Sequence, residues 1–148
     1  MQDMLQRNPP ISPQAAREVR RNTRLRQGRT CYDHLAGVVG VQLLEALLRR
    51  GWLEESAGPR PRYRLTPSGK QALQSRGVTL TDTRKTRRQF AYGCLDWTER
   101  RPHLGGALGA AMLQALSDTD YVRRDHTSRA VILRQPITDW LDTAPPMP

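Results

Sequence analysis

The sequence predicts an α+β protein that is mainly helical, carries small β-hairpins and consists of two tandem repeats behind an arginine-rich helix. Three observations support this prediction: a segment that recurs later in the chain, the same order of elements in both copies, and arginines at helical spacing ahead of the first copy. The 148 residues are enough for one ordinary domain or for two very small ones packed together.

The repeat can be aligned without a gap over its best-matching stretch. Residues 34–53 (HLAGVVGVQLLEALLRRGWL) align with residues 103–122 (HLGGALGAAMLQALSDTDYV), and a looser match follows between residues 62–73 and 129–141. The identical pairs are His34/His103, Leu35/Leu104, Gly37/Gly106, Gly40/Gly109, Leu44/Leu113, Ala46/Ala115 and Leu47/Leu116. Because these identities fall at helical spacing, they indicate a duplication rather than shared composition.

The first copy predicts a helix, a β-hairpin and a closing helix. Apolar residues from Leu35 to Leu48 follow a helical period, and Gly51 is the left-handed residue expected after the helix. A strand then begins at Trp52, turns over residues 57–61 and returns over residues 63–65. Thr66-Pro67 opens the closing helix, with Thr66 as the N-cap and proline at the first helical position.

The second copy repeats this order with a strand at residues 121–122, a turn near residues 125–128 and a returning strand over residues 130–133. Helix, hairpin and closing helix form the pattern of a winged-helix module. The predicted organisation is an N-terminal tail and Arg-rich helix (1–30), a first winged-helix-like repeat (31–76), a basic linker helix (77–93), a second winged-helix-like repeat (94–142) and a flexible tail (143–148).

The net charge of +10 favours a polyanionic partner, with nucleic acid first and an anionic membrane surface second. A helix over residues 13–30 would align four arginines on one face, with Arg26 and Arg29 nearby. Phosphate contact is the functional interpretation, and a solvated helix face is the alternative. The candidate DNA-binding residues are Arg17, Arg20, Arg21 and Arg24 in this stripe, Arg62 and Arg64 in the first hairpin, and Arg84, Arg87 and Arg88 in the linker.

Two cysteines and two histidines form a candidate metal or redox site. The candidate ligands are Cys31 and His34 in the first copy and Cys94 and His103 in the second. Cys31 and His34, three residues apart, are expected on one helix face. If the halves pack about a pseudo-twofold axis, the four can converge, with Asp33 or Asp96 as a spare ligand. Thiolates favour a thiophilic divalent metal such as zinc, cadmium or lead. The alternative is that these residues serve only packing and internal hydrogen bonding.

Other patterns narrow the function classes. Glycines inside the predicted helices, such as Gly40 and Gly109, indicate close approach of a neighbouring backbone, most simply from the other copy or another subunit. No catalytic motif or paired-carboxylate arrangement is visible, so an enzyme is not expected. Apolar stretches fall far short of the ~18 residues of a membrane span, and no secretory signal is visible, so a cytoplasmic protein without a membrane partner is predicted.

Three segments resemble the C-terminal half of larger ArsR-type (arsenic-repressor-like) winged-helix transcriptional regulators. They are RTCYDHLAG at residues 29–37, GWLEE…YRLTPSG at residues 51–69 and CLDWTERRPHLGGALGAAML at residues 94–113, of which the last is the most specific. The resemblance implies a cytoplasmic, dimeric regulator in a family that often answers to metals or oxidants. Such regulators carry an N-terminal DNA-reading winged helix, and the roughly thirty residues before Cys31 are too few for one.

The resulting hypothesis is a DNA-binding transcriptional regulator that forms a homodimer, contacts double-stranded DNA mainly through phosphates and responds to a metal or to oxidation. The helices that precede the hairpins are rich in Leu, Ala and Gly and offer few side chains that read base edges. The alternative is therefore an effector-sensing and dimerisation domain that has lost sequence-specific DNA reading. A degraded gene product is a third, weaker interpretation.

Overall fold

The computed structural model describes residues 24–56, 58, 61–80, 89–96 and 99–143. It contains both helices and antiparallel strands, which confirms the α+β class. Residues 24–27 are helical. The elements that follow are β1 (Arg29–Cys31), β2 (His34–Ala36), α1 (Gly37–Arg49), β3 (Leu53–Ser56), β4 (Arg62–Leu65), α2 (Pro67–Ser75), β5 (Tyr92–Leu95), β6 (Pro102–Gly105), α3 (Gly106–Asp118), β7 (Val122–Arg124), β8 (Val131–Leu133) and α4 (Ile137–Asp142).

The helix, hairpin and closing helix predicted for each copy are present in both. Gly51 has a φ of +71° directly after α1, as expected for its position. The Thr66 side chain accepts a hydrogen bond from the backbone N–H of Gly69 (3.0 Å), so Thr66 caps α2 as predicted. Winged-helix character is a finer description, and it stays a prediction.

The prediction that Cys31 and His34 share a helix face is wrong. The two residues lie on the adjacent strands β1 and β2, where Cys31 pairs with His34 across a two-residue turn. Helix α1 begins only at Gly37, whose φ of +81° separates it from the extended chain before it. Strand β2 is buried at every position, so it shows no polar alternation and continues the apolar pattern of the helix.

A second hairpin that the sequence did not predict, β5–β6, precedes α3 in the same way. Its strands pair Cys94 with His103, and the chain enters α3 at Gly106, which has a φ of +85°. Each repeat therefore has the order hairpin, long helix, hairpin, short helix. We call the hairpins β1–β2 and β5–β6 the ligand hairpins, and the hairpins β3–β4 and β7–β8 the outer hairpins.

Strands of one repeat pair with strands of the other repeat at two junctions. Strand β5 of the second repeat pairs antiparallel with β4 of the first, which gives a four-stranded sheet of order β3-β4-β5-β6. At this junction the backbone N–H of Gly93 donates to Pro61 (2.8 Å). The backbone N–H of Tyr63 donates to Ala91 (3.2 Å).

The reciprocal junction joins β1 of the first repeat to β8 of the second. An antiparallel bridge links Arg29 to Ala130, the N–H of Thr30 donates to Arg129 (2.8 Å), and the N–H of Val131 donates to Gly28 (2.9 Å). Each outer hairpin therefore lies beside the ligand hairpin of the other repeat, and the two junctions are related by a pseudo-twofold axis.

One hydrophobic core lies between the repeats. Its most deeply buried side chains come from α1 and α3, and smaller helices close it on either side. Residues that are at most 1% exposed include Leu44, Leu47, Leu73, Leu108, Met112, Leu113, Leu116 and Leu141. Because both repeats fill this core, they form one folded unit.

Several predicted segments fall partly outside the described residues. The helix over residues 13–30 is helical at residues 24–27, but the chain enters β1 at Arg29, so its predicted end is three residues too late. The predicted linker helix, 77–93, has no helical residue at its described positions, and its last two residues belong to β5. Arg17, Arg20, Arg21, Arg84, Arg87 and Arg88 lie outside the described residues, as do the flexible tail beyond residue 143 and most of the N-terminal tail.

Candidate metal centre

The two ligand hairpins bring Cys31, His34, Cys94 and His103 together. One ligand atom from each residue lies within 4.8 Å of every other one. Both imidazoles are buried, at 3% and 1% exposed, and both cysteines are half-buried. The sequence suggested this set by residue type and duplication, and the structure supplies the convergence.

Cross-strand pairing explains why each hairpin presents two ligands on one face. Directly opposite residues of an antiparallel pair project their side chains to the same side of the sheet. Cys31 is opposite His34 in β1–β2, and Cys94 is opposite His103 in β5–β6. The pseudo-twofold axis then turns the two faces toward each other, and the His34 and His103 rings stand 5.0 Å apart, centroid to centroid.

A helical glycine in each repeat makes room for the histidine of the other repeat. A Cβ atom on Gly40 would contact His103 Cβ at 3.4 Å, and a Cβ atom on Gly109 would contact His34 Cβ at 3.1 Å. Each of these Cβ atoms would also collide with a backbone carbonyl of the preceding strand. Each helix is therefore closely approached at its glycine, but by the strand before it and by a histidine of the other repeat, and not by the neighbouring helix that the sequence predicted.

Asp96, which was expected as a spare ligand, does not belong to the cluster and instead hydrogen-bonds to the candidate ligand His103. Its buried carboxylate accepts hydrogen bonds from the Gly37 N–H (2.6 Å), the Arg29 guanidinium (3.0 Å) and His103 Nδ1 (3.0 Å). The backbone N–H of Glu99 also donates to it (3.3 Å). Because a carboxylate paired with a guanidinium accepts hydrogen bonds, His103 carries its proton on Nδ1 and presents the Nε2 lone pair to the cluster.

His103 is in the form that a metal requires. Burial, followed by the neighbouring His34, lowers the pKa of His103 to about 4 although Asp96 acts in the opposite direction, so the imidazole is neutral at pH 7. Its Nε2 is buried and has no hydrogen-bond partner among the described residues. Leaving such an atom unpaired costs about 1–3 kcal/mol, and a ligand that accepts its lone pair would remove this cost.

The protonation state of Cys94 determines what a metal ion must displace in order to bind. Burial, followed by the neighbouring Cys31, raises the pKa of Cys94 to about 11. Without a metal Cys94 is therefore a neutral thiol at pH 7, and an incoming cation must displace its proton.

The arrangement fits a tetrahedral, thiophilic metal ion. Zinc bonds of about 2.0–2.3 Å set the four ligand atoms about 3.3–3.8 Å apart, so binding would draw the most distant pair together by about 1 Å. Two sulfur and two nitrogen donors suit zinc and its thiophilic relatives far better than magnesium or calcium. Asp33 is not part of this donor set, although its carboxylate lies 3.6 Å from His34 Nδ1.

Sequence reasoning assigned Arg29 no role in the site, and it predicted the wrong role for Asp96. Arg29, which the sequence placed only near the predicted arginine stripe, is 2% exposed and paired with Asp96. Its Nη1 also donates to the carbonyl of Leu25 (3.1 Å), at the described end of the preceding helix. The usable signal was in the repeat, because Asp33 and Asp96 occupy matching positions two residues after Cys31 and Cys94.

The described members of the predicted DNA-binding set lie on the surface. Arg62 and Arg64 project from β4, and Arg64 pairs with Glu54 at 2.7 Å. Arg24 pairs with Asp125 at 3.4 Å in a largely exposed position. These arginines do not belong to the metal cluster.

Comparisons with known proteins give one informative match. The chain is 33% identical over 135 residues to an uncharacterized HTH-type transcriptional regulator, YdfF, of Bacillus subtilis. The match covers 91% of this chain and 58% of the relative, so the chain spans little more than half of the relative's length. No protein-family model matches the chain, and no solved structure matches it.

None of the helices in the described part of the chain combines the length and hydrophobicity that crossing a bilayer requires. Over most of its length, the chain is similar to a bacterial HTH-type transcriptional regulator.

Proposed function

We propose that this chain is a metal-responsive DNA-binding transcriptional regulator of the ArsR-like, winged-helix type, acting in the cytoplasm as a homodimer. The observation that carries the metal response is the convergence of two thiols and two imidazoles within 4.8 Å, with a carboxylate holding His103 in a ligand-competent form. A thiophilic divalent ion such as zinc, cadmium or lead is the effector class that these donors favour.

Binding at this position would change how the two repeats are held. Each repeat contributes one cysteine and one histidine, so an ion would join the repeats directly. The strands that carry His34 and His103 run straight into α1 and α3, which form the core between the repeats. Drawing the ligands together by about 1 Å would therefore shift these helices relative to each other and favour one arrangement of the outer hairpins.

The contact with DNA would come from charge and from the outer hairpins. The net charge is +10, and arginines stand exposed on β4 (Arg62 and Arg64) and on β7 (Arg123 and Arg124). Because the outer hairpins lie on opposite sides of the pseudo-twofold axis, a metal that moves the repeats would alter the spacing of these arginines. Phosphate contacts of this kind supply affinity and orientation but no sequence reading.

A second function is favoured by the burial of α1 and α3. Most of their side chains face the core, and the exposed positions, such as Gln42 and Gln114, are too few to read base edges. In this hypothesis the chain is an effector-sensing and dimerisation region, and the helix-turn-helix activity of the relative belongs to the part of it that the match does not cover. Both hypotheses share the metal site.

The first experiment tests the metal site in the metal-free, reduced protein. Titration with Co²⁺ should give the intense visible absorption of a tetrahedral thiolate complex with one equivalent per chain, and zinc should displace the cobalt. Cys31→Ser and His103→Gln should each abolish this absorption. His126→Gln, which changes an exposed histidine in a turn, should leave it intact. Absence of tetrahedral cobalt absorption in the wild-type protein would rule out the proposed site.

The second experiment separates the two functions. Fluorescence anisotropy of the protein with its own promoter duplex and with a scrambled duplex, each over a salt series and with or without zinc, distinguishes sequence reading from phosphate attraction. A zinc-dependent preference for the promoter supports the regulator. Equal, steeply salt-dependent binding to both duplexes supports the sensing region instead. Arg62→Ala should reduce the salt slope by about one unit if that residue contacts a phosphate, and Lys70→Ala is the matched control on α2.

A further inference from the structure

The two cysteines face each other across the pseudo-twofold axis, although 63 positions separate them in the chain. Their sulfur atoms lie within 4.8 Å of each other. They occupy matching places in the two ligand hairpins, since Cys31-Tyr32-Asp33 corresponds to Cys94-Leu95-Asp96. Neither spacing nor number of cysteines in the sequence indicates a link between them.

We propose that Cys31 and Cys94 are a modification site at which peroxide-class oxidants form a reversible intrachain disulfide between the two repeats. This proposal goes beyond metal binding and does not depend on it, because it needs only the two thiols and their proximity. An S–S bond is about 2 Å long, so the two sulfurs, which lie within 4.8 Å of each other, must approach before the bond can form.

The geometry gives an oxidant access to this pair. Both cysteines are half-buried rather than enclosed. Cys94 lines an open groove of about 910 Å³ together with Tyr32, Tyr92 and Leu95. Tyr32 and Leu95, which follow the two cysteines in the chain, are 88% and 70% exposed.

The reaction balances with hydrogen peroxide as the oxidant. The sulfur of one deprotonated cysteine attacks a peroxide oxygen and breaks the O–O bond, and the released hydroxide takes up a proton to become water. The sulfenic acid that results is attacked by the second cysteine sulfur, and the S–OH bond breaks to release a second water. Two thiols are oxidised by two electrons, and one peroxide is reduced to two waters. A dithiol reductant reverses the reaction by thiol–disulfide exchange.

The disulfide and a metal ion would exclude each other. Oxidation removes both thiolate ligands and leaves two imidazoles, which are too few for a tight site. Conversely, a bound ion would hold the sulfurs apart and occupy their lone pairs. This competition is the one element of the inference that rests on the proposed function, and it has a separate readout.

The test uses the full chain, stripped of metal and reduced. After incubation with hydrogen peroxide, intact-mass measurement should show the loss of two hydrogen atoms, and peptide mapping should identify a Cys31–Cys94 linkage. Excess dithiothreitol should restore both thiols. Stepwise gain of oxygen atoms, or a disulfide between chains instead of within one, would overturn the proposal. Two thiols that stay free after incubation with excess hydrogen peroxide would also overturn it.

Variants separate this inference from the metal proposal. His34→Gln removes one candidate metal ligand but leaves both thiols. In this variant zinc should no longer prevent oxidation of the thiols, and the disulfide should still form. Cys94→Ser should form no intrachain link, and far-ultraviolet circular dichroism verifies that it is folded. A protein that binds cobalt but never forms the disulfide contradicts only the inference, and one that forms the disulfide without binding cobalt contradicts only the metal site.

Discussion

The two ligand hairpins hold equivalent cysteines and histidines in unequal surroundings. In the first, a two-residue turn joins β1 to β2, and Asp33 stands 3.6 Å from His34 Nδ1 at a partly exposed position. In the second, the longer connection between β5 and β6 folds back and buries Asp96 against His103. Duplication therefore kept the four candidate ligands alike, whereas the matching aspartates differ in burial, since the side chain of Asp33 is 34% exposed and that of Asp96 is 0% exposed.

Because of this difference, Asp96 of the second repeat has contacts in both repeats. Asp96 orients a ligand of its own repeat and also accepts a hydrogen bond from the first N–H of α1 in the other repeat. Through Arg29 it reaches β1 and the carbonyl of Leu25. The second ligand hairpin thus joins both repeats through one carboxylate, and Asp33 has a more exposed place at the matching position. Four predictions test how far this asymmetry extends, beginning with changes that should affect both halves alike.

The largest effect should come from removal of a thiol, and it should be the same in both repeats. Cys31→Ser and Cys94→Ser each delete one of two sulfur ligands, so each should weaken zinc binding more than about a hundredfold. Competition with a chromophoric chelator measures this loss. A much smaller loss for one of the two variants would show that the repeats do not share the ion equally.

Asparagine substitutions at the matching aspartates should give unequal effects. Asp96→Asn should weaken zinc binding about 10–100-fold, because His103 loses the acceptor that orients it. It should also lower the free energy of unfolding by about 3–5 kcal/mol, because the buried Arg29 charge loses its partner. Asp33→Asn is the matched control and should change both quantities far less. Chelator competition and urea unfolding measure the two effects, and equal losses would remove the asymmetry.

Acid should destabilise the metal-free protein through the second repeat. The pKa of His103 is about 4 in the folded protein and about 6.5 in the unfolded chain, so the unfolded state binds more protons between these values. The free energy of unfolding should therefore fall as the pH falls from 6.5 to 4, by up to about 3 kcal/mol from this residue. Urea unfolding across this range checks the slope. His103→Gln should flatten it, and His126→Gln should leave it unchanged.

The smallest effects should come from the helical glycines, with a difference in degree. Gly40→Ala and Gly109→Ala each force a methyl group against a backbone carbonyl, so each should cost about 1–3 kcal/mol. Gly109→Ala should disturb the site more, because its Cβ would lie 3.1 Å from His34 Cβ, compared with 3.4 Å for Gly40 and His103. Thermal unfolding and cobalt absorption give the two readouts.

Local signals predicted much of the fold. The matched residues of the repeat predicted two equivalent halves, Gly51 placed the C-terminal end of α1, and Thr66-Pro67 placed the start of α2. The ligand hairpins were missed because their strands are short and β2 is fully buried, so that its pattern continues the helix. Strands of this kind are recognised by the strands with which they pair, and the outer neighbours of these hairpins, β8 and β4, belong to the other repeat.

The candidate site was predictable in composition but not in geometry. Residue type and duplication selected the four candidate ligands, yet the sequence put Cys31 and His34 on a helix and gave Arg29 no part in the site. Both errors have one origin, since the positions of these residues depend on hairpins exchanged between repeats. The role of Asp96 was equally hidden, because its partners Arg29 and Gly37 lie more than fifty residues earlier in the chain.

The exchange of hairpins also constrains the order in which the chain can fold during synthesis. The first repeat leaves the ribosome with the edge of β4 unpaired, since β5, which covers it, is translated later. The outer edge of strand β1 stays unpaired still longer, because its neighbour β8 lies near the end of the described chain. Unpaired edges attract other strands, and contacts between distant residues form slowly. We therefore expect the nascent first half to depend on chaperones until the second half has emerged.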